Sequence, residues 1–241
     1  MIKPEQYGSM IEINVTDNCT LRCSQCNRCC DVALADNHMP VADIEKLCAE
    51  IDHVKRICIA GGEPMMHPEI EKIISIISNS GVTDSVHLLT NGTVDPSFFS
   101  SLIKTYNIEG INSGKDTTPP EHTLLMTVAP IDVNLFGIKP VESCDILMRC
   151  GLGYSTMGYY PCCLSAAIGR VFNIPGVADW NDFTQERYMD LLDKTCRYCG
   201  YYLTSKRDTI LPEFQYPKQM MTVSWREAVD KYNKEESKWT Q

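Results

Sequence analysis

The 241-residue chain contains no stretch approaching 18 uncharged apolar residues, and its amino terminus, Met-Ile-Lys-Pro-Glu-Gln, lacks the apolar core of an export signal. A membrane span or membrane partner is therefore not expected, and the sequence predicts a cytoplasmic protein. Positive charge is also scarce, with 22 Lys and Arg against 31 Asp and Glu and a formal net charge of −9. That balance argues against an extended phosphate-binding surface and against a nucleic-acid partner. Disorder is excluded too, since 44% hydrophobic and 22% charged residues are globular values. The length allows one large domain with a small appendage. What the chain has in abundance is cysteine, 13 in all. In a reducing compartment these do not read as disulfides, so metal or cluster ligation fits best. Cys48 and Cys58, within an expected helix and strand, read instead as buried small apolar residues.

Three cysteines follow the first apolar strand-like stretch, Met10 to Val15, in the pattern Cys19-Thr-Leu-Arg-Cys23-Ser-Gln-Cys26. Three thiolates on one short loop can hold three irons of a four-iron cluster and leave the fourth without a protein ligand. An open iron is what a cluster needs to bind and cleave a small molecule. Closely spaced cysteines also hold zinc, so the motif alone leaves that alternative open. A second segment, Arg56-Ile-Cys-Ile-Ala-Gly61-Gly62-Glu63-Pro64, is a β-branched run ending in two glycines, a carboxylate and a proline. Glycines let backbone approach a ligand closely, and the run places Glu63 at the C-terminal end of a strand.

Together these two motifs resemble those of the radical S-adenosylmethionine (SAM) superfamily. The resemblance implies that the open iron chelates SAM, that one-electron reduction releases a 5′-deoxyadenosyl radical, and that the Gly61-Gly62-Glu63-Pro64 backbone and carboxylate contact the methionine ammonium. It also implies an electron donor of the flavodoxin or ferredoxin type. One residue departs from the pattern: Gln25 stands where the family often has an aromatic residue packing on the adenine.

The first half alternates strand and helix signals. Strands are expected at Met10–Val15, Arg56–Ala60, Ser85–Thr90, Ile108–Asn112 and Thr123–Val128, with helices at Val41–Ile51, His67–Ser78 and Asp95–Tyr106. Repeated βα units imply parallel strands, and motifs at successive strand ends are what a barrel site requires. The cysteine loop follows the first strand, Gly61 to Pro64 the second, Thr90-Asn91 the third, Ser113 the fourth and Asp132 the fifth. Asn91 and Ser113 thus join the expected cofactor-binding set. The stretch from Gly114 to His122 is too short for a crossover helix, so a truncated barrel is predicted. This matches the α/β fold that the resemblance implies, a partial TIM-like (β/α)6 barrel with a small cysteine-rich extension. The predicted divisions are residues 1–139 for the barrel, 140–212 for the extension and 213–241 for a terminal helix at Ser224–Lys238.

The second half carries six further cysteines, Cys144, Cys150, Cys162, Cys163, Cys196 and Cys199, with little helical periodicity outside Phe183–Asp193. Cys196-Arg-Tyr-Cys199 is a C-x2-C knuckle that puts two sulfurs on one centre. The run from Cys150 to Cys163 ends in Gly-Tyr-Tyr-Pro-Cys-Cys and resembles the cysteine-bearing hairpin of the SPASM and shorter "twitch" extensions. Six cysteines supply one auxiliary four-iron cluster rather than two. The expected ligands are Cys150, Cys162, Cys196 and Cys199, with Cys144 as the alternative to Cys150 and Cys163 as the alternative to Cys162. Structural zinc on the same thiolates is the competing reading.

A fully ligated auxiliary cluster serves electron transfer or pocket shape. The expected activity is hydrogen abstraction from a carbon of a small hydroxylated, carbohydrate-like metabolite, giving oxidation or epimerisation. The resemblance extends over roughly residues 10–235, to radical SAM proteins of sugar pathways and to the aminocyclitol dehydrogenase type of butirosin biosynthesis. For epimerisation, Cys163 or Cys30 is the candidate hydrogen-atom donor. The sequence names no general base: His38, His67, His87 and His122 read equally as surface or capping residues, and Glu109 and Asp132 stand no higher. Two other expectations compete. A peptide-modifying radical SAM enzyme is disfavoured by the nine residues before the first strand. A glycyl-radical activase offers no role for the last six cysteines.

Overall fold

The computed structural model describes residues 9–114, 125–133, 144–204 and 221–236. Six strands form one sheet: β1 (Met10–Asn14), β2 (Val54–Ala60), β3 (Thr83–Thr90), β4 (Glu109–Asn112), β5 (Leu152–Ser155) and β6 (Gly158–Tyr160). The helices are α1 (Val41–Glu50), α2 (Ile70–Ser80), α3 (Pro96–Tyr106), α4 (Ile146–Arg149), α5 (Cys163–Phe172), α6 (Gln185–Cys196), α7 (Tyr201–Thr204) and α8 (Val223–Glu236). The strand order is β4-β3-β2-β1-β5-β6, parallel throughout except for β5 against β6. Among the described residues the sheet does not close, which is the partial, TIM-like barrel expected from the sequence.

Local chemistry explains the elements. In β1 and β2, Ile11 pairs with Ile57 and Ile13 with Ile59, and all four are fully buried on one face. They join a core that includes Ile44 and Leu47 of α1 and Ile73, Ile74 and Ile77 of α2. The three-and-four spacing of those isoleucines turns one stripe of α2 inward. Gly81 ends α2 at φ 72°, the left-handed conformation that suits glycine. Asp95 accepts the Ser97 amide at 2.9 Å to cap α3, and Pro96 opens it. By strand alternation Glu12 faces the opposite side of the sheet, in register with Cys58 and Gly153.

One strand is not where the sequence put it. The expected fifth strand, Thr123–Val128, is a turn in its described part, with the Val128 amide on the Leu125 carbonyl at 2.9 Å. Its apolar residues are buried, but the turn is tied down by other groups. The Thr127 amide donates to Gln25, and the Thr127 carbonyl accepts from the Thr222 amide at 3.1 Å. The fifth strand is instead Leu152–Ser155, which pairs with β1 on the edge away from β2. The cysteine-flanked hairpin therefore extends the barrel sheet itself. Helix α5 was also unexpected. Seven of its residues in a row, Cys163 to Gly169, are buried, so it has no polar face to betray it.

Candidate active site

The C-terminal ends of β1 to β4 surround one cleft of about 160 Å³. Cys19, Cys23 and Cys26 line it together with Gly61, Gly62, Pro64, Asn91 and Ser113. The sequence singled out all eight. Backbone bonds bring the first two motifs together, since the Gly62 amide donates to the Thr16 carbonyl at 2.7 Å and the Glu63 amide to the Asn18 carbonyl at 2.8 Å. A side chain at Gly61 would strike the Thr16 carbonyl, and one at Gly62 the Asn18 carbonyl. Gly61 also sits at φ 143°. The third strand completes the cradle, with Asn91 Nδ2 3.6 Å from the Cys19 sulfur and 2.9 Å from the Thr20 hydroxyl.

Glu63 lies beneath this cleft rather than on its wall. Its carboxylate is fully buried and accepts from the Thr90 hydroxyl at 3.0 and 3.1 Å, the Asn91 amide at 2.8 Å and the Met65 amide at 3.2 Å. It therefore locks the end of β2 to the end of β3. Gln25, at φ 57°, turns into the 125–128 turn and accepts from the Thr127 amide at 2.9 Å and hydroxyl at 3.0 Å. Burial pushes the Cys19 thiol up, whereas a hydrogen bond from Cys30 lowers Cys26 to about 7. Three thiols converging on one cleft, with one of them readily ionised, suit a metal cluster.

The six later cysteines lie within electrostatic reach of one or more of their number. Burial raises Cys199 well above the usual thiol range, and the neighbouring Cys196, Cys162 and Cys144 sulfurs raise it further. Burial, then Cys144, pushes Cys196 up to about 12. Cys162 and Cys199 are buried and Cys144 and Cys196 half-buried, and the Cys144, Cys162 and Cys196 sulfurs all act on Cys199, a donor set that suits a metal centre. Cys150 is hydrogen-bonded to Cys163, which that bond lowers to about 6, and it also feels the Cys162 sulfur, so both Cys144 and Cys150 lie near this set. Gly153 makes room for this arrangement, because a side chain there would meet the Cys162 carbonyl.

Residues 13–135, about half of the chain, match the description of the Radical SAM superfamily. The chain belongs to the radical SAM superfamily. The GTP 3′,8-cyclase of Heliobacterium modesticaldum is 27% identical over 207 residues, 80% of this chain and 59% of that protein. The probable GTP 3′,8-cyclase of Methanothermobacter thermautotrophicus is 24% identical over 74% of this chain and 61% of its own length. The chain thus spans about three fifths of these relatives. In fold it is similar to BtrN, solved in complex with AdoMet and 2-DOIA, with a TM-score of 0.53 at 14% identity over 82% of this chain and 89% of that one. No described helix is long and apolar enough to cross a membrane.

Within this radical SAM chain the remaining expected residues divide by role. His67 Nε2 donates to the Met39 carbonyl at 2.9 Å while Nδ1 accepts the Glu69 amide at 3.0 Å, a connection between loops. His38 meets the Thr16 hydroxyl, and Asp132 accepts the Ser224 amide and hydroxyl at the start of α8. These three hold structure. His87 lies on the inner face of β3, 3.1 Å from Glu109. His122 lies outside the described residues. The sequence reading missed Glu12 and Arg28, which form an ion pair beside Cys163. The visible signal was a carboxylate at the centre of an apolar strand, where a charge needs a partner.

Proposed function

We propose that this protein reductively cleaves SAM and abstracts a hydrogen atom from an alcohol carbon of a small hydroxylated metabolite, with dehydrogenation as the outcome. The first cluster would be held by Cys19, Cys23 and Cys26, and an auxiliary four-iron cluster by Cys144, Cys162, Cys196 and Cys199. Bound there, the clusters would supply one-electron chemistry for SAM cleavage and for oxidation of the substrate. The chain's own residues hold and orient. Gly61, Gly62, Asn91 and Ser113 offer backbone and side-chain polar groups to SAM, and Glu63 keeps two strand ends in place for them.

The observation that supports this reading is the second set of thiols, in which Cys144, Cys162 and Cys196 all act on the buried Cys199 and which SAM cleavage alone does not require. A sugar-like alcohol is favoured by charge. Arg28 is the single cation among the described residues lining the cleft, and Glu12 already pairs with it. A purine nucleotide is the second reading, favoured by the relatives named GTP 3′,8-cyclase. Epimerisation is a third outcome, with Cys163 as hydrogen donor.

The test is anaerobic reconstitution with iron, sulfide, SAM and dithionite, followed by a panel of free sugars, nucleotide-linked sugars and GTP. A ketone product with deuterium carried from the substrate into 5′-deoxyadenosine supports the proposal. Turnover of GTP alone supports the second reading, and solvent deuterium in an unoxidised product supports epimerisation. Iron content separates the activase alternative: about eight irons per chain is expected here, and about four for an activase. Mass spectrometry of a candidate precursor peptide checks for peptide modification.

A further inference from the structure

Arg28 follows the last cysteine of the first site by two residues, and its side chain is only 12% exposed. The guanidinium pairs with Glu12 of β1 and hydrogen-bonds Cys163 at the start of α5, with Cys150 and Cys30 within electrostatic reach. Donor atoms of Glu12, Cys150 and Cys163 lie within 4.8 Å of one another, a spacing that suits a metal ion. The Arg28 guanidinium already pairs with Glu12 and hydrogen-bonds Cys163 there, so the positive charge the trio calls for comes from a side chain rather than from a third metal centre. Gly153, in register with Glu12, opens the space through which the Cys162–Cys163 turn approaches.

Arginine stays charged at every pH a protein survives, and burial weakens the screening of that charge. Reducing an iron–sulfur cluster adds one negative charge, and nearby charge helps set its potential. Arg28 lies two residues from Cys26 and touches the residue after Cys162, so one fixed cation adjoins a ligand of each site. We propose that Arg28 is a charge-coupling positioning residue, held between Glu12 and Cys163, that raises the reduction potentials of both clusters together. Glu12 opposes it and sets how much of that charge each cluster feels.

This inference rests on the two-cluster reading above. Its test is anaerobic redox titration of the reconstituted full chain, followed by electron paramagnetic resonance, in wild type, Arg28→Gln, Arg28→Lys and Glu12→Gln. Arg28→Gln is expected to move both potentials negative. At a fixed solution potential the reduced-to-oxidised ratio falls about tenfold, equivalent to about 59 mV for a one-electron couple. Glu12→Gln moves both positive, and Arg28→Lys stays nearer wild type. Opposite signs are the signature, because a purely structural role gives no such pair. Unchanged potentials, shifts of one sign in both neutral variants, or a shift in one cluster alone overturn the proposal. If Arg28→Gln assembles no clusters, Glu12→Gln decides by itself: a positive shift supports and no shift overturns. Wild type that takes up only about four irons refutes the two-cluster reading instead, and the iron count reveals this before any titration.

Discussion

The two cysteine groups are built in opposite ways. Cys19, Cys23 and Cys26 share one loop, which backbone bonds clamp to the neighbouring strand end through Thr16 and Asn18. Cys144, Cys162, Cys196 and Cys199 come from four separate places: before α4, the hairpin end, the last turn of α6 and the turn after it. The first group is preorganised by local sequence and open to a cleft. The second is assembled by tertiary packing, with Cys162 and Cys199 buried and Cys144 and Cys196 half-buried. A site that must admit a small molecule belongs on a braced loop at a cleft, whereas a site that only holds charge needs no such opening.

Breaking the first group gives the largest effect. Cys23→Ala is expected to abolish 5′-deoxyadenosine formation while the auxiliary site keeps about four irons, measured by product chromatography and iron assay. Breaking the second group comes next. Cys199→Ser is expected to halve the iron and end substrate oxidation, yet leave slow SAM cleavage without substrate. Cys150→Ser is expected to keep full iron and Cys144→Ser to lose half, which separates the two ligand choices.

Smaller changes sharpen the comparison by loosening the clamp and not the ligands. Glu63→Gln places an amide against the Thr90 and Asn91 donors and is expected to lower stability by about 2 kcal/mol, read by denaturant melting. Gly62→Ala presses on the Asn18 backbone and is expected to cost about 1–3 kcal/mol with weakened SAM binding. The smallest effect is chemical. In cluster-free protein Cys26, at about 7, exists mostly as thiolate above neutral pH, while Cys19 remains a thiol. Alkylation followed by peptide mapping at pH 8 is expected to label Cys26 first, and the preference to fade as pH falls below 7.

Particular residues show what was legible in the sequence. The stripe of isoleucines in α2 and the Asp95-Pro96 start of α3 announce themselves because one side of each helix meets water. Helix α5 is buried along its first seven residues and opens on a Cys-Cys pair that reads as part of a hairpin, and Leu125 to Val128 reads as a strand because apolar runs look alike in strands and buried turns. The cleft was legible because its residues come as two compact motifs at strand ends. The Glu12–Arg28–Cys163 arrangement was not. It depends on β5 docking against β1, a pairing between distant segments with no local trace.

Gln25 carries one more consequence. It ties the first cysteine loop to Thr127, whose carbonyl holds Thr222 at the threshold of α8. The cysteine loop and the start of α8 therefore share one buried tie through the two backbone groups of Thr127, so Gln25→Ala is expected to speed proteolytic trimming of that helix.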